Sequence, residues 1–304
     1  MGFLSEIRHP TTWHTQFAIA VLALALFAFL ATAAVSGFLV YRMINPARSH
    51  SDISLQGFPG HPEKLVYTTG GVERDGWFFP GRKTAPTIVL CPAYESSRGE
   101  LLTMASSLQD QQFNVLIFDF SAQGTNDGRS SLGFQEVGQL RAAMDAVAKR
   151  GDVDVDRFGL WGANMGAYVA LAEAVNDHRV RAVAADSPYT HPNDMVGLQV
   201  SRFGLGSVPF VTRTSQMIFD WLNQPYRNAP RLTTQIGKLS GVAQLYLESP
   251  DDPKLTASTS ALFRISAPPH ELVDLPHGNY AGMVDEEKRS YENRIVSFFL
   301  VSLP

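Results

Sequence analysis

Two glycines four residues apart frame the segment of the chain best placed to do chemistry. The segment Gly162-Ala163-Asn164-Met165-Gly166 follows an apolar run at 157–161 and precedes a helix-forming run of small residues. In such a strand–turn–helix, the pattern G-x-S-x-G exposes its central side chain as a nucleophile, and the glycines let the backbones pack closely. The central residue here is asparagine. The spacing therefore predicts a nucleophile elbow without the usual nucleophile.

The elements around this segment alternate between strands and helices. Strands are expected at 64–69, 72–79, 87–91, 114–120, 157–161, 180–185, 242–247 and 271–275, and helices at 101–112, 135–149, 166–175, 258–265 and 285–300. Continuous apolar strands separated by amphipathic helices predict a mainly parallel sheet covered on both faces. The first two strands are expected to form an antiparallel hairpin around Gly70-Gly71. Residues 192–240 break the alternation and are interpreted as a mostly helical insertion.

The ordered motifs resemble those of the α/β-hydrolase superfamily over nearly all of residues 64–304. They are most similar to the membrane-anchored members related to serine aminopeptidases and acyl-thioesterases. Besides the elbow, the matching segments are 89–98 at the oxyanion loop, 118–128 at the F-D-x-R-G-x-G motif, 184–188, 250–253 after a late strand, and 275–279 after the last strand. The resemblance implies an α/β-hydrolase fold with a helical cap at about 192–240 in a domain covering 63–304.

The resemblance also implies a catalytic triad in the order nucleophile, acid, histidine. In this sequence these positions are Asn164, Asp252 and His277. Asp251 and Asp186 are rival candidates for the acid, and Asp252 is also interpretable as an ordinary turn residue. The alternative interpretation of His277 is a loop histidine without a catalytic role. The backbone N–H groups of Tyr94 and Met165 are expected to point at an anion in the oxyanion hole.

Several positions depart from the family pattern together. An asparagine amide has no proton comparable to that of a serine hydroxyl, so Asn164 predicts that serine-type hydrolysis is absent or very weak. Asparagine does tolerate the positive φ that an elbow requires, which makes it a residue that preserves the turn. Pro92-Ala93 replaces the family's His-Gly, and Ser121 and Gln123 replace an arginine and a histidine.

Residues 17–40 form an uncharged stretch of 24 residues. As a helix it is about 36 Å long, which is enough to cross a hydrocarbon core of about 30 Å. We therefore predict an N-terminal flank at 1–16, a transmembrane helix at 17–40 and a linker at 41–62. A signal peptide cleaved near Ala31-Thr32-Ala33 is the main alternative, and a buried core helix is another. One extra arginine after the span weakly favours a cytoplasmic location for the large domain.

Composition excludes several classes of protein. With 45% hydrophobic and 18% charged residues the chain is not disordered, and a single cysteine excludes a disulfide scaffold. A net charge of −4 gives no basic face for nucleic acid. No pattern predicts a metal site or a cofactor. The expected partners are the bilayer, through 17–40, and a small acyl or peptide ligand.

Three functions follow as hypotheses. The first is a membrane-anchored pseudo-hydrolase that binds a ligand or partner with little or no serine-type hydrolysis. The second is an active hydrolase of esters, thioesters or peptides that uses activated water, Ser121 or Ser187 instead of residue 164. The third is a membrane scaffold or assembly protein that uses only the anchor and the helical insertion.

Overall fold

The computed structural model describes residues 12–48 and 60–304. Part of the predicted flank, 1–11, and much of the predicted linker, 49–59, lie outside the described residues. The described chain divides into two compact units. One contains the residues up to Arg42 together with Val196–Gln224, and the other contains Met43–Met195 and Pro225–Pro304.

The larger unit is built on one eight-stranded sheet with the order β1-β2-β4-β3-β5-β6-β7-β8. The strands are β1 (Glu63–Thr69), β2 (Val72–Phe79), β3 (Thr87–Cys91), β4 (Asn114–Phe118), β5 (Phe158–Ala163), β6 (Val180–Asp186), β7 (Ala243–Glu248) and β8 (His270–Asp274). All neighbours from β4 to β8 are parallel, whereas β1 and β2 are antiparallel to each other and β2 is antiparallel to β4. The predicted sheet, including its antiparallel edge, is confirmed.

The α-helices follow the predicted alternation. They are α1 (Trp13–Ile44), α2 (Leu102–Asp110), α3 (Phe134–Ala148), α4 (Met165–Ala174), α5 (Pro192–Arg202), α6 (Pro209–Leu222), α7 (Pro253–Ile265) and α8 (Asp285–Ser302). Short 3-10 turns lie at Arg98–Leu101, Gln224–Tyr226, Leu232–Thr234, Ile236–Lys238 and Tyr280–Gly282. The helix predicted at 258–265 begins earlier, at Pro253, because the proline occupies the first turn and Asp252 caps it.

The core lies on the sheet. Every residue of β3, β4 and β5 is buried, because helices cover both faces of these central strands. On one face, Ile88, Leu90 and Trp161 belong to the same apolar cluster as Phe299 of α8. Burying each large side chain stabilises the fold by roughly 1.5–3 kcal/mol. This packing holds the carboxyl ends of β3, β5 and β6 rigidly beside one another.

The smaller unit contains most of α1 and all of α6. By length and composition, α1 is able to cross a membrane. The Ser36 hydroxyl donates a hydrogen bond of 3.2 Å to the backbone carbonyl of Val211, in the first turn of α6. The segment predicted as one cap at 192–240 is thus divided: Val196–Gln224 clusters with the N-terminal helix, and 225–240 clusters with the sheet.

Candidate functional site

The elbow forms where the sequence predicts it. β5 ends at Ala163, α4 begins at Met165, and Asn164 between them has φ 55° and ψ −108°. Its backbone is held on both sides, since its N–H donates to the Asp186 carbonyl at 2.8 Å and its own carbonyl accepts from the Tyr168 N–H at 3.1 Å. Asparagine adopts positive φ more readily than most side chains, so residue 164 keeps the sharp turn.

The two framing glycines are required by close backbone contacts. A Cβ on Gly162 would lie 2.3 Å from the carbonyl carbon of Gly166, and a Cβ on Gly166 would lie 2.2 Å from the Cys91 carbonyl oxygen. Both distances are far below van der Waals contact, and both involve backbone that cannot move aside easily. The elbow is therefore pressed against the end of the neighbouring strand β3.

The Asn164 side chain is half-buried, and its amide oxygen Oδ1 is buried without a hydrogen-bond partner. A buried polar atom left unpaired costs about 1–3 kcal/mol. An amide offers an acceptor on oxygen and two donors on nitrogen. The elbow thus presents a hydrogen-bonding side chain, but no group with a hydroxyl or thiol proton to give up.

Both residues predicted for the oxyanion hole flank the elbow. Met165 is the first residue of α4, so its backbone N–H has no partner within the helix. Tyr94 lies on the loop after β3, and β3 pairs with β5 through Cys91 and Gly162. Its hydroxyl donates to the Met43 carbonyl at 2.9 Å. The structure therefore brings the Tyr94 loop to the edge of the sheet where Asn164 and Met165 lie.

Gln123, which stands where the resemblance expects histidine, positions this loop. Its side-chain amide donates to the Ala93 carbonyl at 2.6 Å, while its oxygen accepts from the Phe120 N–H at 3.1 Å. Because Gln123 is buried, these two bonds tie the residue next to Tyr94 to the end of β4. Gln123 therefore supports the loop that carries Tyr94.

The carboxylate that lies beside His277 is Asp251, one of the two rivals to Asp252 for the acid. Asp251 Oδ1 lies 3.5 Å from His277 Nδ1, and Asp251 Oδ2 accepts from the Gly278 N–H at 2.9 Å. That backbone N–H, followed by His277, lowers the pKa of Asp251. The Asp252 side chain instead accepts from the N–H groups of Lys254 and Leu255. Proline at 253 starts α7, so the preceding aspartate serves as its N-cap.

The His277–Asp251 pair is open to solvent, with 68% of the histidine side chain and 47% of the aspartate side chain exposed. Its loop nevertheless lies near the elbow. A Cβ on Gly278 would be 3.7 Å from Ser187 Oγ, and Ser187 directly follows the residue whose carbonyl accepts the Asn164 N–H. Asn164 and the His277–Asp251 pair therefore lie at the same end of the sheet, beyond the carboxyl ends of the strands.

Asp186, the other rival acid, ends β6 inside a buried network. It is fully buried, and its carboxylate accepts from the Tyr291 hydroxyl at 2.8 Å and the Ser187 hydroxyl at 2.8 Å. Tyr291 in turn accepts from the Trp161 indole N–H at 3.1 Å. Burial raises the pKa of Asp186 to about 6, and the two hydroxyl donors lower it only in part. Both oxygens of the carboxylate thus accept a hydroxyl hydrogen bond inside the protein.

A pH-dependent stability follows from Asp186. Because its folded pKa is about 6, against 3.8 ordinarily, the folded chain binds more protons than the unfolded chain between these values. Its contribution is therefore full below about pH 4 and is lost as pH rises through 6. We expect Asp186→Asn to remove up to about 1.4 kcal/mol per pH unit of this dependence. Urea denaturation in detergent at pH 4.5 and 7.0 gives the free energy of unfolding of wild type and of Asp186→Asn. If the difference between the two proteins were the same at both pH values, the prediction would be contradicted.

Comparisons with known proteins agree with this architecture. Residues 86–215 match a family model described as alpha/beta hydrolase fold. The structure of the Pyrococcus furiosus esterase Pf2001 superimposes with a TM-score of 0.66 at 18% identity, covering 86% of this chain and 99% of the esterase chain. The chain has the α/β-hydrolase fold. The resemblance stated from the sequence motifs is confirmed at the level of the fold.

Curated relatives match a shorter part of the chain. The uncharacterized protein Rv2307c of Mycobacterium tuberculosis is 31% identical over 137 residues, which is 43% of this chain and 47% of the relative. Polyketide transferase ATR5 of Stachybotrys chlorohalonatus is 28% identical over 127 residues, or 40% of this chain and 43% of the relative. The chain thus matches less than half the length of these two relatives.

Within the α/β-hydrolase fold, the groups predicted for the site lie at the carboxyl ends of the strands. The elbow, the Met165 N–H and a histidine–carboxylate pair are present, whereas position 164 carries an amide. Among residues 12–48 and 60–304, no group of three His, Cys, Asp or Glu side chains is arranged to hold a metal ion. An open depression of about 740 Å³ lies at the other end of the strands, near their amino ends, beside Arg157 and Arg181. None of the predicted site residues lines it.

Sequence reasoning missed two supporting groups of this α/β-hydrolase-fold site. The Tyr291 hydroxyl reaches Asp186 across 105 residues of sequence, and the Trp161 indole reaches Tyr291 across 130. No local pattern marks such a network, because its members are separated by whole strands and helices. A local signal did favour Asp251 over Asp252. Asp252 directly precedes Pro253, and an aspartate in that position is a favourable N-cap, which leaves Asp251 as the carboxylate available to His277.

Proposed function

We propose that this protein is a membrane-anchored pseudo-hydrolase, which binds a ligand or partner at the elbow with little or no serine-type hydrolysis. The observation that carries the proposal is Asn164 at φ 55° in an otherwise intact elbow. In serine hydrolases, loss of the nucleophile lowers turnover by about 10⁶. The apolar helix α1 supports the anchor by its length and composition.

The unpaired Asn164 Oδ1 indicates the chemistry of the ligand. An oxygen acceptor at this position suits a ligand that donates an N–H or O–H, while the N–H of Met165 suits a carbonyl or carboxylate oxygen. A carbonyl compound with a neighbouring donor, such as an acyl amide or a hydroxyacyl group, satisfies both. The relatives named as an esterase and a polyketide transferase support a ligand that carries a carbonyl group.

The test combines covalent labelling, turnover and binding on the full chain in detergent. We expect no labelling by a fluorophosphonate probe and no hydrolysis of p-nitrophenyl butyrate above the buffer rate. We expect a short-chain acyl amide to raise the melting temperature of wild type. Asn164→Gly, which accepts the positive φ and removes the amide, is expected to abolish this rise while folding normally. Labelling of wild type that disappears when the acyl amide is added would contradict the proposal.

One observation favours a second candidate, an acyl-transfer or hydrolytic activity through Ser187. Its half-buried hydroxyl donates to Asp186 at 2.8 Å, and it lies at the same sheet edge as Asn164. Ser121, the other serine considered, is buried and already accepts from Arg74 and Gln139, so its oxygen is occupied. Labelling of wild type that maps to Ser187 and is lost in Ser187→Ala would support this second candidate.

A further inference from the structure

We propose that α6 is a second membrane-binding element, whose exposed edge inserts into the interface of the bilayer that α1 crosses. The inference rests on the anchor in the proposed function and identifies the lipid bilayer as the partner of this helix. It concerns the smaller unit alone, and it does not depend on whether the elbow is catalytic.

The exposed edge of α6 is apolar and continuous along the helix. Phe210, Met217 and Trp221 have exposed fractions of 78%, 65% and 68%. At about 100° per residue, these three positions and Thr214 between them share one side of the helix. The opposite side carries Val211, Ser215 and Phe219, which are buried. The packing of α6 in the folded protein thus covers one face of the helix and leaves the apolar side chains of its other side uncovered.

The contact between α6 and α1 sets the depth of this edge. A hydrocarbon core of about 30 Å requires about 20 helical residues, so a span that begins at Phe17 reaches the far boundary near Ser36. No residue from 12 to 35 is buried, whereas Ser36 is buried and donates its hydroxyl to the Val211 carbonyl. The first turn of α6 is therefore held against α1 at the level where the hydrocarbon ends.

At that level, the composition of the edge suits lipid. Phenylalanine, methionine and tryptophan gain free energy when they enter the boundary between headgroups and acyl chains, and tryptophan is favoured there. The polar side of α6 next to this edge carries exposed Arg213, whose charge suits the headgroup layer. The exposed edge of α6 is adjacent to the bilayer in this proposal, since α1 crosses the bilayer and contacts the first turn of α6. A water-exposed role would leave three large apolar side chains in solvent.

The test measures the depth of bimane labels attached to single cysteines in the full chain reconstituted into phosphatidylcholine vesicles. Native Cys91 is buried and is left in place. Labels at Phe210→Cys, Met217→Cys and Trp221→Cys are expected to lose at least about half of their fluorescence with brominated lipid. Val155→Cys, which is exposed in the larger unit, is the control and is expected to stay bright.

A label at Leu26→Cys, within the predicted span, separates the two proposals. Quenching at position 26 without quenching at 210, 217 and 221 would overturn the α6 proposal and leave the anchor intact. Absence of quenching at position 26 would overturn the anchor and the α6 proposal together. Labels at 210 and 217 that resist a water-soluble quencher but are not reached by brominated lipid would show that protein covers this edge, and the α6 proposal would then be wrong.

Discussion

Replacing Asn164 by serine is expected to create a covalently reactive elbow and to accelerate hydrolysis of p-nitrophenyl butyrate at least about 100-fold over wild type. Residue 164 already has the backbone conformation of an elbow nucleophile, at φ 55°. Because removing the nucleophilic serine from a serine hydrolase costs about 10⁶ in turnover, placing a serine at this position is expected to supply part of that factor. Labelling by a fluorophosphonate and the initial hydrolysis rate measure the gain.

Only part of that factor is expected because other positions of the site also differ from the hydrolase pattern. Ala93 stands where a glycine would give the oxyanion loop more freedom, and the His277–Asp251 pair is open to solvent. Asn164→Ala is the matched control, since it keeps the elbow but adds no hydroxyl. Combining Asn164→Ser with His277→Ala is expected to remove most of the gain, because no base then accepts the serine proton.

A serine variant no more reactive than the alanine variant would contradict this prediction. It would indicate that His277 does not reach residue 164, and it would strengthen the hypothesis of a scaffold that uses only the anchor and the helical insertion. A large gain would instead favour a pocket that is still competent to hold an acyl group. The pseudo-hydrolase proposal would then depend on one side chain, Asn164.

Alanine at position 166 is expected to destabilise the chain by about 3 kcal/mol. Its Cβ would lie 2.2 Å from the Cys91 carbonyl oxygen and 2.8 Å from the Pro92 carbonyl oxygen, both of them backbone atoms. Overpacking typically costs about 1–3 kcal/mol, and a clash with two fixed carbonyls belongs at the upper end. The free energy of unfolding in urea, followed by tryptophan fluorescence in detergent, measures the loss.

Gly138→Ala is the matched control for this prediction. Gly138 is an exposed residue in the interior of α3, and a Cβ there meets nothing within 4 Å. The same substitution is therefore expected to stabilise the chain by about 0.5–1 kcal/mol, as alanine does in a helix. If the free energy of unfolding of Gly166→Ala lay within about 1 kcal/mol of the wild-type value, the elbow would not be packed closely on β3 and the prediction would be wrong.

Strands were the most predictable elements, since the central strands are buried on both faces and continuously apolar, and the turn at Gly70-Gly71 marks the hairpin strands. The bounds of β2 and β3 agree with those predicted from residues 72–79 and 87–91. Helix starts were less predictable. The helix expected from 258 begins at Pro253, because a cap and a proline determine a helix start as much as hydrophobic spacing does.

The sequence by itself determined the fold class, the elbow and the absence of a serine within it, because glycine spacing and apolar strand patterns are local properties. It also determined an apolar helix long enough to span a bilayer. Only the tertiary structure decided which aspartate lies beside His277, whether the Ser121 oxygen is occupied, and how the insertion divides between the two units. Those choices depend on contacts between residues far apart in sequence, as in the Ser36–Val211 and Asp186–Tyr291 hydrogen bonds.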